Sequence, residues 1–347
     1  MKNPYPALLK ASRLTRKGRP LSAAMAINKL IFAPAKPAAR RKKAPANKRV
    51  GKPVTAARST RPAPGTFVDA SFSSAFGAIS YKLYTPVGSS RRKLPLVVML
   101  HGCTQSAADF AAGTGMNKLA DEIGFLVLYP EQSRSANFGR CWNWHRSGDQ
   151  ERGGGEPATI AALTRHIIKS CKAHPDRVYI AGLSAGGAAA AIVAAAYPDV
   201  FVAVGVHSGV ARGSINSLRG ALSAMRSGVE SRISDGRRRR QLPTIVFHGD
   251  RDDVVHPSNA RGFVSAMAAR QNRPLRVTAE TGRSSGGRDF TRTTYHSGSG
   301  ELLEHWSVHG SGHAWSGGSS AGSHTDPAGP AASREMLRFF LAQKRSN

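Results

Sequence analysis

The sequence predicts an α/β fold in which a mostly parallel central sheet carries helices on both faces, preceded by a basic N-terminal extension. Short segments such as 94–100 are almost wholly apolar, which is typical of strands that are buried on both faces. These segments alternate with stretches of helical periodicity, and this alternation favours parallel strands joined by helices. The extension is indicated by charge, because residues 1–62 hold 17 of the 50 Lys and Arg and no Asp or Glu.

Residues 1–65 are predicted to be a basic, largely disordered extension of a folded domain at 66–347. The second half of the extension is rich in Ala, Pro and Lys, a composition that buries too little apolar surface to offset the entropy of ordering. Apolar residues within 7–31 recur at roughly helical spacing, which predicts short helices. Two interpretations stay open: a solvated extension without a partner, and an arm that binds nucleic acid or an anionic surface.

The strands are predicted where apolar runs end at polar, Gly or Pro residues, as at Pro130 after 125–129. We expect strands, in chain order, at 79–84, 94–100, 125–129, 177–181, 200–206, 244–247, 275–280 and 303–308. Apolar periodicity predicts helices at 110–123, 159–173, 258–270 and 334–342. The arginine-rich segment 213–241 is predicted to be a surface excursion or small cap, and 281–300 an exposed loop or hairpin.

Ser184 is the candidate nucleophile. It lies in a Gly-x-Ser-x-Gly motif between the predicted strand 177–181 and a run of small residues that is predicted to be helical. A nucleophilic serine needs a tight strand-to-helix turn that exposes its hydroxyl, and Gly182 and Gly186 allow the backbone to bend that sharply. The alternative interpretation is a glycine-rich connector without chemistry.

A serine hydroxyl reacts only when a histidine takes its proton and an acid orients that histidine. His313 is the predicted base, since it lies between glycine-containing segments after the last predicted strand and follows the candidate acids in the chain. The acid is expected in the polar segment 248–255. Asp252 is preferred there, and Asp250 and Asp253 remain alternatives.

The negative oxygen of a tetrahedral intermediate needs two backbone N–H donors. We assign one to Ala185, the residue after the candidate nucleophile, and the other to Cys103, in the loop that follows an early buried strand. Gly102 and Thr104 are the alternatives to Cys103. His101 is expected to hold this loop by hydrogen bonding.

Five ordered motifs resemble the poly(3-hydroxybutyrate) depolymerase family of esterases, which is related to the feruloyl and acetylxylan esterases of carbohydrate esterase family 1. They are Leu-His-Gly-Cys-Thr-Gln at 100–105, Cys-Trp-Asn-Trp at 141–144, Gly-Leu-Ser-Ala-Gly-Gly at 182–187, His-Gly-x-x-Asp at 248–252 and Gly-His-Ala-Trp at 312–315. The resemblance implies an α/β-hydrolase fold and supports Ser184, Asp252 and His313 as the catalytic triad. It also implies a serine esterase acting on hydroxyalkanoate polyesters or oligoesters, with feruloyl or acetylxylan esters as the alternative.

The resemblance favours an extracellular or periplasmic location, but the sequence has no clear signal peptide, so a cytoplasmic location stays open. No apolar run approaches the length of a transmembrane helix. The three cysteines lack a Cys-x-x-Cys pair or matched histidine spacing, so we expect neither a metal site nor a cofactor.

Aromatic residues of the motif loops are the candidate substrate contacts: Trp142, Trp144 and Trp315. Their flat apolar surface suits an acyl chain, a phenolic ring or a polymer, and packing within the domain is the alternative. Cys103 and Cys141 both follow predicted strands at the same end of the sheet, and we expect them to form a disulfide.

Overall fold

A computed structural model describes the chain at 65–88, 93–211, 215, 217–228, 242–269, 271, 273–298 and 300–345. The predicted N-terminal extension lies outside these ranges except for its last residue, and so does most of the predicted cap at 213–241.

One sheet with ten strands forms the centre of the described part, in the order β1-β2-β4-β3-β5-β6-β7-β10-β9-β8. The six strands from β4 to β10 run parallel, and antiparallel pairs flank them at both edges. The predicted α/β fold with a mostly parallel sheet is confirmed. The strands are β1 (Thr66–Ser74), β2 (Gly77–Thr85), β3 (Leu96–Leu100), β4 (Leu126–Glu131), β5 (Val178–Leu183), β6 (Ala203–His207), β7 (Thr244–Gly249), β8 (Arg276–Arg283), β9 (Asp289–Ser297) and β10 (Gly300–Val308).

Helices cover both faces of the sheet, and each face has its own apolar layer. Strand β3 shows why both layers form, because successive side chains of a strand point to opposite faces. Leu96 and Val98 belong to one layer, and Val97 and Met99 belong to the other, all of them fully buried. The helices are α1 (Ala107–Thr114), α2 (Met116–Ile123), α3 (Gly155–Ser170), α4 (Ala185–Ala196), α5 (Leu218–Ser227), α6 (Ser258–Ala268) and α7 (Ala332–Ala342).

The prediction of one continuous helix at 110–123 is wrong, because the structure divides that stretch into the two helices α1 and α2. Gly115 separates the two helices with a left-handed φ of 64°, and its N–H closes α1 by donating to the Ala111 carbonyl. Glycine adopts this conformation without steric penalty, so it ends a helix that apolar spacing alone would continue. The segment 281–300 was expected to form an exposed loop or a hairpin. It belongs to the β8–β9 hairpin and the start of β10, so the hairpin is confirmed.

The parallel strands place six connecting loops at one edge of the sheet, because the carboxyl ends of parallel strands lie together. These loops follow β3, β4, β5, β6, β7 and β10. They contain Ser184, Asp252, His313 and Cys103, and Ala185 begins the helix that follows Ser184. We call residues 101–105 the oxyanion loop and residues 132–144 the disulfide loop.

Candidate active site

Ser184 occupies a strained turn between β5 and α4. Its φ is 58° and its ψ is −119°, a conformation that costs a non-glycine residue about 1–3 kcal/mol. The turn is fixed by backbone hydrogen bonds, since the Ser184 N–H donates to the His207 carbonyl at 2.8 Å and its own carbonyl accepts from Ala188 at 3.0 Å. Ser184 is partly exposed between buried neighbours, and α4 begins directly after it. Its hydroxyl therefore lies beside the positive end of a helix dipole.

Two glycines make this turn sterically possible. A Cβ at Gly182 would lie 2.3 Å from the Gly186 carbonyl oxygen. A Cβ at Gly186 would lie 2.2 Å from the Leu100 oxygen and 2.5 Å from the His101 oxygen. All three obstacles are backbone atoms of packed elements, so they cannot move aside as a flexible side chain can. The motif glycines thus let α4 approach β3 closely.

Gly186→Ala is expected to lower the free energy of unfolding by at least about 3 kcal/mol, since the new methyl group overlaps fixed backbone. At a helical position with free space, replacing glycine by alanine would instead raise the free energy of unfolding by about 1 kcal/mol. The sign of the change in the free energy of unfolding therefore shows whether the site is crowded. Urea unfolding followed by circular dichroism measures it. Gly148→Ala is the matched control because a Cβ there meets nothing within 4 Å. A Gly186→Ala protein as stable as wild type would contradict the close approach.

Asp252 is the carboxylate that contacts His313. The His313 Nδ1–H donates to Asp252 Oδ2 at 2.8 Å. The other carboxylate oxygen, Oδ1, accepts from the N–H groups of Val254 and Val255 at 3.0 and 2.8 Å. Both oxygens of this buried group are therefore held, which leaves the His313 ring in one orientation with Nε2 pointing away from the acid.

The two other candidate acids have different roles in the structure. Asp250 binds the turn before the histidine, since it accepts from the His309 ring at 3.0 Å and from the Gly310 N–H at 2.7 Å. Asp253 is exposed. The structure thus distinguishes the three aspartates that the sequence left as alternatives, and only Asp252 among them contacts His313.

The charge of Asp252 is maintained by its partners. Burial by itself raises the pKa of this carboxyl, but the charge and hydrogen bond of His313 and the nearby His248 outweigh burial, so its pKa lies below its ordinary value. A carboxylate that stays ionised at neutral pH can hold the Nδ1–H tautomer of the histidine and stabilise its protonated form.

A second carboxylate shapes the loop that carries His313. Asp326 accepts a hydrogen bond from the Ser311 hydroxyl at 2.7 Å and forms an ion pair with Arg288. The same guanidinium donates to the Gly310 carbonyl at 3.0 Å. This network fixes the turn immediately before the histidine from the side of the β8–β9 hairpin. Sequence reasoning missed it, because no motif links residues so far apart in the chain.

His207 links the turn that carries Ser184 to the segment that follows His313. Its carbonyl binds the Ser184 N–H, and its ring Nε2 accepts from the Ser316 N–H at 2.9 Å, three residues after His313. Burial, together with the nearby His248 and His313, lowers the pKa of His207 to about 3, so the ring is neutral and can accept at Nε2. Nothing in the sequence indicates this role beyond a histidine at the end of a strand.

Three N–H groups of the oxyanion loop are occupied by acceptors within the protein. Gly102 donates to the Gln105 side chain at 2.9 Å, Thr104 to the Gly139 carbonyl at 2.7 Å, and Gln105 to the Gly102 carbonyl at 3.3 Å. Within the described part of the chain, the Cys103 N–H has no acceptor. Of the three residues that the sequence proposed, Cys103 is therefore the one whose N–H can bind another group.

The oxyanion loop is joined to the disulfide loop. Cys103 and Cys141 form a disulfide across 38 positions, as expected from the sequence. His101 donates from Nδ1 to the Gly102 carbonyl at 2.8 Å and accepts at Nε2 from the Gln132 N–H at 3.1 Å. Burial lowers the pKa of His101, and the neutral ring fits both bonds.

Replacing both Cys103 and Cys141 with alanine is expected to lower the free energy of unfolding by about 3–4 kcal/mol, because the unfolded chain gains the entropy of an open loop. Activity is expected to fall as well, since one end of the disulfide carries the candidate oxyanion donor. Chemical denaturation and initial rates measure the two effects. Cys171→Ala, which removes an exposed free thiol, is the control. Equal stability of the double variant and the control would contradict the prediction.

Two of the three tryptophans that were predicted to contact substrate are buried in the domain. Trp142 and Trp315 are each 1% exposed, and their indole N–H groups donate to the His101 carbonyl and the Ser333 hydroxyl. These two side chains pack the loops on the domain, which is a correction to their assignment as substrate contacts. Trp144, 8% exposed, packs in the apolar cluster that contains Ala185 at the start of α4. It remains the candidate for substrate contact.

Neither a metal-binding cluster nor a membrane-spanning helix is found in the described ranges. No cluster of three or more His, Cys, Asp or Glu side chains there is arranged to hold a metal ion. None of the described helices combines the length and apolar character that crossing a membrane requires.

A serine on the turn after β5, an acid after β7 and a histidine after the last parallel strand define the α/β-hydrolase class. The chain belongs to the Esterase PHB depolymerase family, whose model matches residues 79–288. Similar structures agree with the fold: an acetyl xylan esterase from Aspergillus awamori has a TM-score of 0.61 at 20% identity and covers 80% of this chain and 99% of its own.

Similar curated proteins include two kinds of esterase. Poly(3-hydroxyalkanoate) depolymerase C of Paucimonas lemoignei is 32% identical over 230 residues, which cover 63% of this chain and 54% of that protein. Probable acetylxylan esterase A of Aspergillus clavatus is 32% identical over 183 residues, which cover 47% of this chain and 58% of that protein. The chain thus spans a little over half the length of these relatives.

Proposed function

We propose that this protein is a serine carboxylic ester hydrolase that works through an acyl-enzyme on Ser184. The observation that carries the proposal is the position of His207, whose backbone holds the Ser184 turn and whose ring holds the segment after His313. These contacts support the assignment of Ser184 and of His313, which is oriented by Asp252, to one site. Family membership supports the same class of reaction.

In the proposed reaction, His313 Nε2 takes the Ser184 proton as the serine oxygen attacks the ester carbonyl. Asp252 holds the histidine in the correct tautomer and stabilises its charge. The N–H groups of Cys103 and Ala185 bind the oxyanion, and the first turn of α4 adds its dipole. His313 then protonates the leaving alcohol, and water hydrolyses the acyl-enzyme by the same steps.

Hydroxyalkanoate polyesters or oligoesters are the substrates that we propose, with feruloyl or acetylxylan esters as the alternative. The name of the Paucimonas lemoignei relative supports the first class, and the Aspergillus clavatus relative supports the second. Trp144, the least buried of the three motif-loop tryptophans, packs at the start of α4 and is the aromatic residue that we propose for contact with either class.

Parallel initial-rate assays on poly(3-hydroxybutyrate), methyl ferulate and acetylated xylan distinguish these substrates. We expect hydroxybutyrate release to exceed the other two rates when each is compared with the Ser184→Ala protein under the same conditions. Higher activity on acetylated xylan or methyl ferulate would select the alternative. No hydrolysis of any of the three, nor of a short p-nitrophenyl ester, would contradict the proposed function.

A further inference from the structure

Glu156, near the start of α3, binds the disulfide loop through both carboxylate oxygens. Oε2 accepts from the Asn143 N–H at 2.8 Å, and Oε1 accepts from the Asn143 side-chain amide at 2.6 Å and from the Gln132 side-chain amide. The Glu156 N–H donates to Asp149 at 2.7 Å, which fixes the start of the helix. One carboxylate therefore anchors two separate positions of the disulfide loop to a helix of the core.

The disulfide loop is in turn attached to the oxyanion loop at four points. Two are covalent or backbone links: the Cys103–Cys141 disulfide and the hydrogen bond from Thr104 N–H to the Gly139 carbonyl at 2.7 Å. Two involve His101, which accepts from the Gln132 N–H at its ring and from the Trp142 indole at its carbonyl. A displacement of the disulfide loop would therefore move the oxyanion loop with it.

Holding a carboxylate at this position is unfavourable. Burial, and then the charge of Asp149, raise the pKa of Glu156 to about 7 against the opposing hydrogen bonds from Asn143 and Gln132. A neutral amide of the same size would avoid this desolvation. A glutamine, however, offers one acceptor and one donor in place of two acceptors.

We propose that Glu156 is a positioning residue for the oxyanion hole: it fixes the disulfide loop and, through it, the Cys103 N–H where the oxyanion develops. This inference rests on the proposed function. The hydrogen-bond partners of Glu156 are Asn143, Gln132 and Asp149, and none of them is a proposed reacting group. Its effect is geometric, because a misplaced oxyanion donor stabilises the transition state less than it should.

Glu156→Gln tests this inference. The glutamine Oε1 can keep both side-chain bonds, but its Nε2 then faces the Asn143 N–H, donor against donor. We expect kcat on a short p-nitrophenyl ester to fall at least about tenfold while KM changes less than about twofold, because the interaction that is lost is made in the transition state. Glu151→Gln is the matched control: it removes an exposed carboxylate five residues earlier and should leave both constants unchanged.

A transition-state analogue gives a readout that a purely structural role would not change. An aryl trifluoromethyl ketone forms an oxyanion adduct with the serine, so its Ki should rise by the same factor as kcat/KM falls. Thermal unfolding and thiol titration establish that the variant is folded with its disulfide intact. Asn143→Ala removes one of the three bonds to Glu156 and also the bond that Asn143 Oδ1 accepts from the Asn137 side-chain amide. It should show the same pattern, and it replaces Glu156→Gln as the test if that variant does not fold.

The outcomes are separable. A wild-type protein without esterase activity contradicts the proposed function. An active wild type together with folded Glu156→Gln and Asn143→Ala proteins of unchanged kcat contradicts this inference alone. A rise in KM with unchanged kcat and unchanged Ki would contradict it too, because it would mark a loss of ground-state binding.

Discussion

Ser184→Ala is expected to lower kcat on carboxylic esters by about 10⁴-fold or more, because the acyl-enzyme can no longer form. The residual rate would reflect binding and the oxyanion donors acting on attack by water. Initial rates on a short p-nitrophenyl ester measure the loss. A fluorophosphonate probe provides a second test, since it should label the wild-type protein and leave the variant unlabelled.

The fold of the variant should be unchanged. The Ser184 hydroxyl has no hydrogen-bond partner within the described residues, and alanine meets the same strain as serine at a φ of 58°. We therefore expect the melting temperature to shift by less than about 2 °C. Ser170→Ala, which removes an exposed hydroxyl at the end of α3, is the control for the substitution itself. A Ser184→Ala protein with wild-type rates would refute the proposed mechanism.

Asp252→Asn is expected to lower kcat by about 10³- to 10⁴-fold. The carboxylate accepts the His313 Nδ1–H at 2.8 Å and keeps Nε2 free to take a proton. An amide can instead donate to Nδ1, which favours the wrong tautomer, and it does not stabilise the imidazolium. The pH dependence of kcat and an NMR measurement of the histidine tautomer would show the two effects separately.

Asp253→Asn is the matched control because it makes the same change at the exposed neighbouring aspartate. Its activity should equal that of wild type, and equal loss at both positions would contradict the assignment of the acid. Stability provides a further check. Since the pKa of Asp252 is lowered on folding, its contribution is present at neutral pH and is lost as the pH falls through the folded-state pKa. The stability difference between wild type and Asp252→Asn should therefore shrink in acid.

Local patterns in the sequence were sufficient to predict the parallel sheet and the nucleophile turn. The apolar run of β3 predicts a strand buried on both faces, and the structure places its alternate residues in two apolar layers. The helix prediction at 110–123 failed at Gly115, because the spacing of apolar residues carries no information about a single residue that adopts a left-handed φ. Asp252 was separated from Asp250 and Asp253 only by contacts with other loops.

The class of fold, the motif around Ser184 and the chain order of the candidate serine, acid and histidine were all predictable from the amino-acid sequence. These follow from periodicity and from turn geometry, which depend on neighbouring residues. Three features became evident only in the folded chain: Trp315 is buried, His207 joins two parts of the candidate site, and Glu156 holds the disulfide loop. They could not be predicted because burial and hydrogen-bond partners depend on residues far apart in the chain, whose approach is set by the packing of the whole sheet and its loops.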